Sequence, residues 1–233
     1  MMEKTEKTVK ALFDRISPRY DLFNTASTFF LDRHWRRCAS RIVDKKDAKV
    51  LDLCTGTAEL ALAFSKRLNG GGKVVGVDFS GGMLQLARKK LERLGKAEKI
   101  PLLRGNVERL SFRENTFDYV TSGFSMRNLI DLEKGLKEMH RVLKPGGEAV
   151  IIEINRPTNR FTGFFYRCYM RGAIPLIGLL TVGTMSPFLY LKDTVLGFLT
   201  PREFCQKLRA AGFREVSFKA FAPGAIGFYR ATK

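Results

Sequence analysis

From Lys49 onward the chain alternates short apolar runs with helix-forming segments, and this most limits what it can fold into. Val50–Leu53 is an apolar run that breaks at Thr55-Gly56-Thr57, and Glu59–Leu68 is a helix former stopped by Asn69-Gly70-Gly71-Gly72. Lys73–Val77 reads as a second strand ending at Asp78, and Met83, Leu84, Ala87, Leu91 and Leu94 form a helix stripe closed by Gly95. Ile100–Leu103 and Phe117–Thr121 read as the third and fourth strands. Leu132, Leu136, Met139 and Leu143 mark another helix, followed by Lys144-Pro145-Gly146-Gly147 and the strand Ala149–Ile154. Short apolar strands separated by helices predict an α/β fold, a parallel sheet covered on both faces.

The flanks read differently. Val9, Leu12, Phe13 and Ile16 follow helical spacing up to Ser17-Pro18, and Trp35, Cys38, Ala39 and Ile42 repeat it. The aromatic-rich stretch from Arg156 to Leu199 reads as an irregular insertion with Phe161, Phe164, Phe165, Tyr166, Tyr169, Phe188, Tyr190 and Phe198. Thr200-Pro201-Arg202-Glu203 has the form of a capping box with proline at the first helical position, and Gly212 stops that helix. Two late strands fall near Glu215–Phe221 and Ala225–Ala231. One domain over 1–233 is expected, with a helical cap at 1–46, a core at 47–155, a lid insertion at 156–199 and a terminal helix and strands at 200–233.

The constellation that carries chemistry is Val50-Leu51-Asp52-Leu53-Cys54-Thr55-Gly56-Thr57, with Asp78 ending the next strand. A tight turn after the first strand lets backbone approach a ligand beside a helix N-terminus. An acidic residue at the end of the second strand accepts the hydroxyls of a ribose. The loop holds one glycine and lacks the G-x-G-x-x-G run that a pyrophosphate needs. Asp52 is badly placed for phosphate and well placed for a cation. These features point to S-adenosylmethionine (SAM), whose sulfonium and ammonium groups are positive. Asp52, Thr55, Gly56, Thr57 and Asp78 are the candidate cofactor residues, joined by Asn106 and Val107 after the third strand and Gly123 after the fourth. Asn106 is expected at the adenine edge. Arg141-Val142-Leu143-Lys144-Pro145-Gly146-Gly147 resembles the helix-end turn of class I SAM methyltransferases, which implies a Rossmann-like, mostly parallel seven-stranded sheet.

A closer resemblance covers nearly the whole chain from Val9. Tyr20-Asp21-Leu22-Phe23-Asn24 with Trp35, Phe124-Ser125-Met126-Arg127-Asn128, and Arg141 through Glu153 resemble segments of the UbiE/MenG family of SAM-dependent quinone-biosynthesis C-methyltransferases. Pro175-Leu176-Ile177-Gly178, Tyr190-Leu191 and Gly212-Phe213 match it in part. The chain departs from that pattern at Thr55-Gly56-Thr57-Ala58-Glu59, where the family has more glycine. It departs also at Asp32 (a histidine there), at Asn155 and at Gly123 (serines). The resemblance implies methylation of the ring of a polyprenyl quinol, demethylmenaquinol or a ubiquinone precursor. For that chemistry Arg127 is expected to stabilise a phenolate, Asn128 to orient a hydroxyl or water, Tyr20 to line the site or relay a proton, and Asp21 to stand near as a base.

Charge and composition bound the partners. There are 41 Lys and Arg against 23 Asp and Glu, so an anionic partner is expected. An anionic membrane surface fits a polyprenyl substrate, with the arginines Arg33, Arg36, Arg37 and Arg41 as one contact. Nucleic acid is not expected: Ser122-Gly123-Phe124-Ser125 after the fourth strand carries no amino-nitrogen methylation motif, and no Pro-Cys pair is present. RNA, a sterol or another lipid remains the rival acceptor. A non-catalytic lipid-binding protein of the same fold is the rival of another class. A homo-oligomer is compatible with the chain. The four cysteines form no C-x-x-C pair and the two histidines lie far apart, so no zinc site is expected. Met1 to Lys10 is charged and lacks an apolar core, which predicts no signal peptide and a cytoplasmic, membrane-peripheral protein. The 20 uncharged residues between Arg171 and Lys192 are long enough to span a bilayer, but their glycines and prolines argue against one continuous helix.

Overall fold

The computed structural model describes residues 4–156, 160–221 and 226–233. Five parallel strands form one side of a seven-stranded sheet, out to its β3 edge: β1 (Lys49–Leu53), β2 (Lys73–Asp78), β3 (Leu102–Arg104), β4 (Phe117–Gly123) and β5 (Leu143–Ile154). Two further strands, β6 (Arg214–Phe221) and β7 (Ile226–Thr232), add to it antiparallel, giving the order β3-β2-β1-β4-β5-β7-β6. The order reverses at β1, so a crevice opens above the carboxyl ends of β1 and β4, where α/β sheets bind ligands.

Side-chain alternation along β1 builds both faces. Leu51 and Leu53 enter one fully buried cluster with Val120, Leu136 and Met139. Val50 enters the other with Ala61, Phe64 and Ala87. Helices α4 (Glu59–Leu68) and α5 (Gly81–Arg93) contribute to the second cluster, and α6 (Leu132–Val142) and α10 (Pro201–Ala210) to the first. Phe64 is fully buried; truncating such a side chain costs about 3–5 kcal/mol. The Thr200 hydroxyl accepts from the Glu203 N–H while Glu203 accepts from the Thr200 N–H, the reciprocal cap expected for α10.

Some boundaries shift. The third strand runs over Leu102–Arg104 rather than Ile100–Leu103, because its pairing with β2 begins opposite Gly76. The turn Lys144–Gly147 is an irregularity within β5, with Gly146 at φ +73°. A side chain at Gly147 would come within 2.9 Å of the Asp118 carbonyl oxygen, so this turn needs glycine.

The N-terminal cap consists of α1 (Glu6–Ile16), α2 (Tyr20–Ser27) and α3 (Leu31–Ser40). The expected irregular insertion is helical instead: α7 (Arg160–Cys168), a wide π turn over Tyr169–Ala173, α8 (Ile174–Val182) and α9 (Ser186–Leu196). Pro175, Pro187 and Gly183 sit at helix ends, whereas Gly178 lies within α8. Pro175 and Pro187 lie in first turns, where no N–H is needed, and Gly183 ends α8 at φ +82°. The uncharged stretch is therefore two short helices, and no helix among the described residues is long and apolar enough to cross a membrane. Cap and insertion share a small core of Phe23, Met170, Ile174, Phe188 and Val195, with the Phe23 and Phe188 rings 4.0 Å apart. The Phe161 and Ser186 side chains, and Ala225, lie outside the described residues.

Candidate active site

The loop after β1 is built from backbone that ordinary residues avoid. Cys54, Gly56 and Ala58 all have positive φ, at +51°, +54° and +66°. Strain of this kind persists only where the surroundings fix it, and it collects at ligand sites. Asp52 supplies part of the fixing. It shares Val50's face of β1, so it points beneath α4 rather than into the crevice. One carboxylate oxygen accepts from the Thr55 hydroxyl at 2.5 Å and from the Ala61 N–H at 3.2 Å. The other oxygen is buried and has no partner among the described residues. Burial pushes the Asp52 carboxyl up to about 7, against those two hydrogen bonds.

Asp78 ends β2 and accepts from the Gly56 N–H at 2.8 Å and the Ser80 N–H at 2.9 Å. Burial raises it to about 6. Asp78, Gly56 and Gly123 line a narrow cavity of about 40 Å³ with Cys54 and Phe79. Asn106 and Val107 line a second of the same size with Gly105 and, from α1, Glu6 and Val9. The Asn106 side-chain oxygen is already used, accepting from the Glu108 N–H at 2.8 Å, which leaves its NH2 for a ligand. Helix α1 roofs this edge. Asp14 accepts from Ser80 Oγ at 2.5 Å and from the Gly82 N–H at 3.1 Å, tying the roof to the start of α5.

A cavity of about 500 Å³ lies under the cap and the insertion. Its walls are mostly aromatic and aliphatic, including Phe165, Tyr166, Tyr169 and Tyr190 from the insertion. Trp35 lines it while remaining 7% exposed. Phe13, Tyr20 and Phe124 line both this cavity and the Asp78 cavity, and Asn128 lines all three. The large cavity and the crevice therefore meet at these residues. Asn128 accepts from the Tyr190 hydroxyl at 3.4 Å. Arg127 reaches the large cavity from a short turn after β4, and its guanidinium donates to Glu153 at 2.7 Å. The Arg127 Nε is buried with no partner among the described residues. Burial raises the Tyr20 hydroxyl; Asn24 and the positive charges of Arg127 and Arg36 oppose this.

Two expected site residues turn out to bind one another. The Thr57 hydroxyl donates to Asp21 at 2.6 Å, and Lys90 donates to Asp21 and to Glu59, at 2.7 Å for the latter. Neither Thr57 nor Asp21 lines any of the three cavities. With Lys90 they form a latch between cap and core. Asp52 and Thr55 likewise support the loop from below. Asp14, Ser80 and Glu153 join the site without having been expected there. Ser80 was findable: a serine two residues after the ribose-type aspartate, preceding a helix stripe, is a helix N-cap.

The fold and the crevice define a class I SAM methyltransferase. A SAM-dependent methyltransferase from Thermotoga maritima superposes with a TM-score of 0.67 at 21% identity, covering 97% of this chain and 99% of the other. A second from Aquifex aeolicus gives 0.58 at 21% identity, over 79% and 81%. The ubiE/COQ5 methyltransferase family model matches residues 1–233. Two proteins named demethylmenaquinone methyltransferase are similar throughout. One from Lactiplantibacillus plantarum is 38% identical over 226 residues, 97% of this chain and 95% of the relative. One from Bacillus cereus is 36% identical over 236 residues, 100% and 98%. The chain belongs to the ubiE/COQ5 methyltransferase family, and SAM is its cofactor.

Proposed function

We propose that this protein methylates a ring carbon of a reduced polyprenyl quinone, with demethylmenaquinol as the acceptor. The observation that carries the reading is the junction at Tyr20, Phe124 and Asn128, where an apolar cavity of about 500 Å³ opens onto the crevice. The chain fits SAM in its donor set. Asp78 offers a carboxylate to the ribose, and the Asp52 carboxyl beneath the loop has one oxygen with no partner among the described residues. Held by Asp78 and the loop after β1, SAM would supply an electrophilic methyl group for the ring carbon.

The residues around the large cavity do the rest. Arg127 meets negative charge as it develops on the quinol oxygen next to the reacting carbon, held in place by Glu153. Asn128 and Tyr190 orient that hydroxyl at the junction. The apolar walls exclude water and align the ring, which is much of what an in-line transfer needs. A labelled-methyl assay with SAM and a reduced demethylmenaquinone analogue tests the reading, with tRNA and the oxidised quinone as parallel acceptors. Transfer to the reduced quinol alone is expected. Equal transfer to the oxidised quinone would end the phenolate mechanism, and transfer to tRNA would promote the rival acceptor.

A polyprenyl acceptor places the work at a bilayer surface of the cytoplasmic side. Among the described residues, eleven of the fifteen exposed large apolar side chains belong to the cap and insertion, including Phe29, Phe30, Phe164 and Leu180. From Ile154 to Lys192 there is no acidic residue, and Arg167 and Arg171 are exposed. Arg33, Arg37 and Arg41 are exposed on or beside α3, whereas Arg36 is buried and faces the cavity, so it takes no part in such a surface. Each cation near an anionic bilayer contributes about 1 kcal/mol. Retention on anionic liposomes that falls with salt, and weak retention on neutral ones, is the expected result.

A further inference from the structure

Three of the described residues lining the large cavity are charged: Arg127, Arg36 and Asp32. Arg127 is the group placed at the activated oxygen. The other two form an ion pair on α3, four residues apart, with Arg36 donating to Asp32. Such a pair usually sits on the wet face of a helix. Here Asp32 is 5% exposed and Arg36 8% exposed, on the face that also carries Trp35. Burying both charges costs several kcal/mol each unless geometry and further hydrogen bonds compensate, and apolar residues of similar size would serve packing better. Asp32 is restrained further by the Thr28 hydroxyl at 3.3 Å. The Arg36 guanidinium lies 5.6 Å from the centroid of the Phe124 ring, which is itself a wall of the crevice. A guanidinium has five N–H donors. Among the described residues Arg36 hydrogen-bonds only Asp32, and it borders the cavity with donors to spare.

The cavity thus has two cationic stations, each a guanidinium steadied by a carboxylate, in walls that are otherwise mostly apolar. A 1,4-hydroquinone has two oxygens on opposite sides of one ring. Resting on the function proposed above, we infer that Arg36, held by Asp32, is a binding site for the second quinol oxygen, the one para to the oxygen that Arg127 stabilises. Arg127 acts on charge that grows in the transition state. Arg36 contacts an oxygen present throughout, so its contribution falls mainly on acceptor binding and on which ring carbon faces the methyl group. Asp32 is a positioning residue that acts through Arg36.

The test pairs two acceptors with two enzymes. Wild-type protein and Arg36→Met are assayed on a reduced 1,4-naphthohydroquinone acceptor and on the analogue lacking the hydroxyl para to the activating one. The variant is expected to lose tenfold or more in kcat/KM on the diol, chiefly through KM, and less than threefold on the analogue. SAM binding, which reports a folded core, should be unchanged. An equal loss on both acceptors would overturn the inference and return the pair to a packing role. Arg36→Lys allows the same comparison should the methionine variant fail to fold. Asp32→Asn should show the same acceptor-dependent loss at smaller size, and no loss would free Arg36 from its partner. Wild-type protein that leaves the diol unmethylated would remove the functional reading itself, and the inference with it.

Discussion

The crevice above β1 and β4 and the cavity beneath the cap are built by opposite means. The crevice is made of backbone: strand ends, positive-φ turns, and carboxylates that accept from main-chain N–H groups. The cavity is made of side chains drawn from helices of the cap and insertion, with rings for walls. A backbone site depends on chain path more than on which side chains it carries. A side-chain site can be retuned residue by residue. The departure at Asp32 illustrates this. Asp32 lines the cavity, whereas Asn155, just past β5, accepts from the buried Tyr229 hydroxyl of β7 and lines none of the three cavities. On the function proposed above, acceptor choice rests with the side chains of the cap and insertion.

The sharpest break of that contrast is Arg127→Lys. It keeps a cation for Glu153, whereas an alanine would leave a buried carboxylate unpaired and cost about 3–5 kcal/mol of stability. Turnover should fall by about 10²–10³ with melting temperature and SAM affinity nearly kept. Steady-state kinetics beside calorimetry checks this; unaltered turnover would make Arg127 a strut for Glu153. Next in size is Asp78→Ala, which should weaken SAM by about 1–3 kcal/mol through lost charge-assisted hydrogen bonds. Acceptor KM should hold. An unchanged SAM affinity by calorimetry would remove Asp78 from the ribose site.

Gly178→Ala probes the side-chain half. A Cβ there would meet the Phe188 ring at 1.9 Å, inside the small core that joins α8, α9 and the cap. Phe188 must move, at a cost of about 1–3 kcal/mol. Acceptor KM should rise several-fold while SAM affinity stays within twofold. A matching fall in SAM affinity would show that the two regions are mechanically one.

How far the sequence carried depended on the same division. Local rules located the β1 loop, Asp78 and the capped helix α10, because turn chemistry and strand periodicity act over a few residues. The insertion misled. Pro175, Gly183 and Pro187 are scored as breakers, yet each sits at a helix end where it does no harm. Long-range pairings had no local signal at all. Nothing near Asp21 announces Thr57 and Lys90, 36 and 69 residues away, and nothing near Asp14 announces Ser80. The Arg36–Asp32 spacing was visible, but it reads as a solvent-facing pair until the fold turns that face inward.

The smallest effect expected is on pH, and it reports on the crevice alone. Burial raises Asp52 to about 7 and Asp78 to about 6, above the value of about 3.9 for an unfolded aspartate. At these two groups, without ligand, the folded chain therefore holds more protons than the unfolded chain between roughly pH 4 and 7. Stability from these two groups is greatest at the acid end and is lost as pH rises through the folded values. A cationic ligand reverses the preference, since it favours both carboxylates in their charged form. The increase in melting temperature on adding SAM should consequently grow from pH 5.5 to 7.5. Asp52→Asn should flatten the upper part of that rise and Asp78→Asn the lower. S-adenosylhomocysteine lacks the sulfonium charge, so its profile should be shallower than that of SAM. Identical profiles for the two ligands would mean that the carboxylate beneath the loop does not feel the methyl donor's charge.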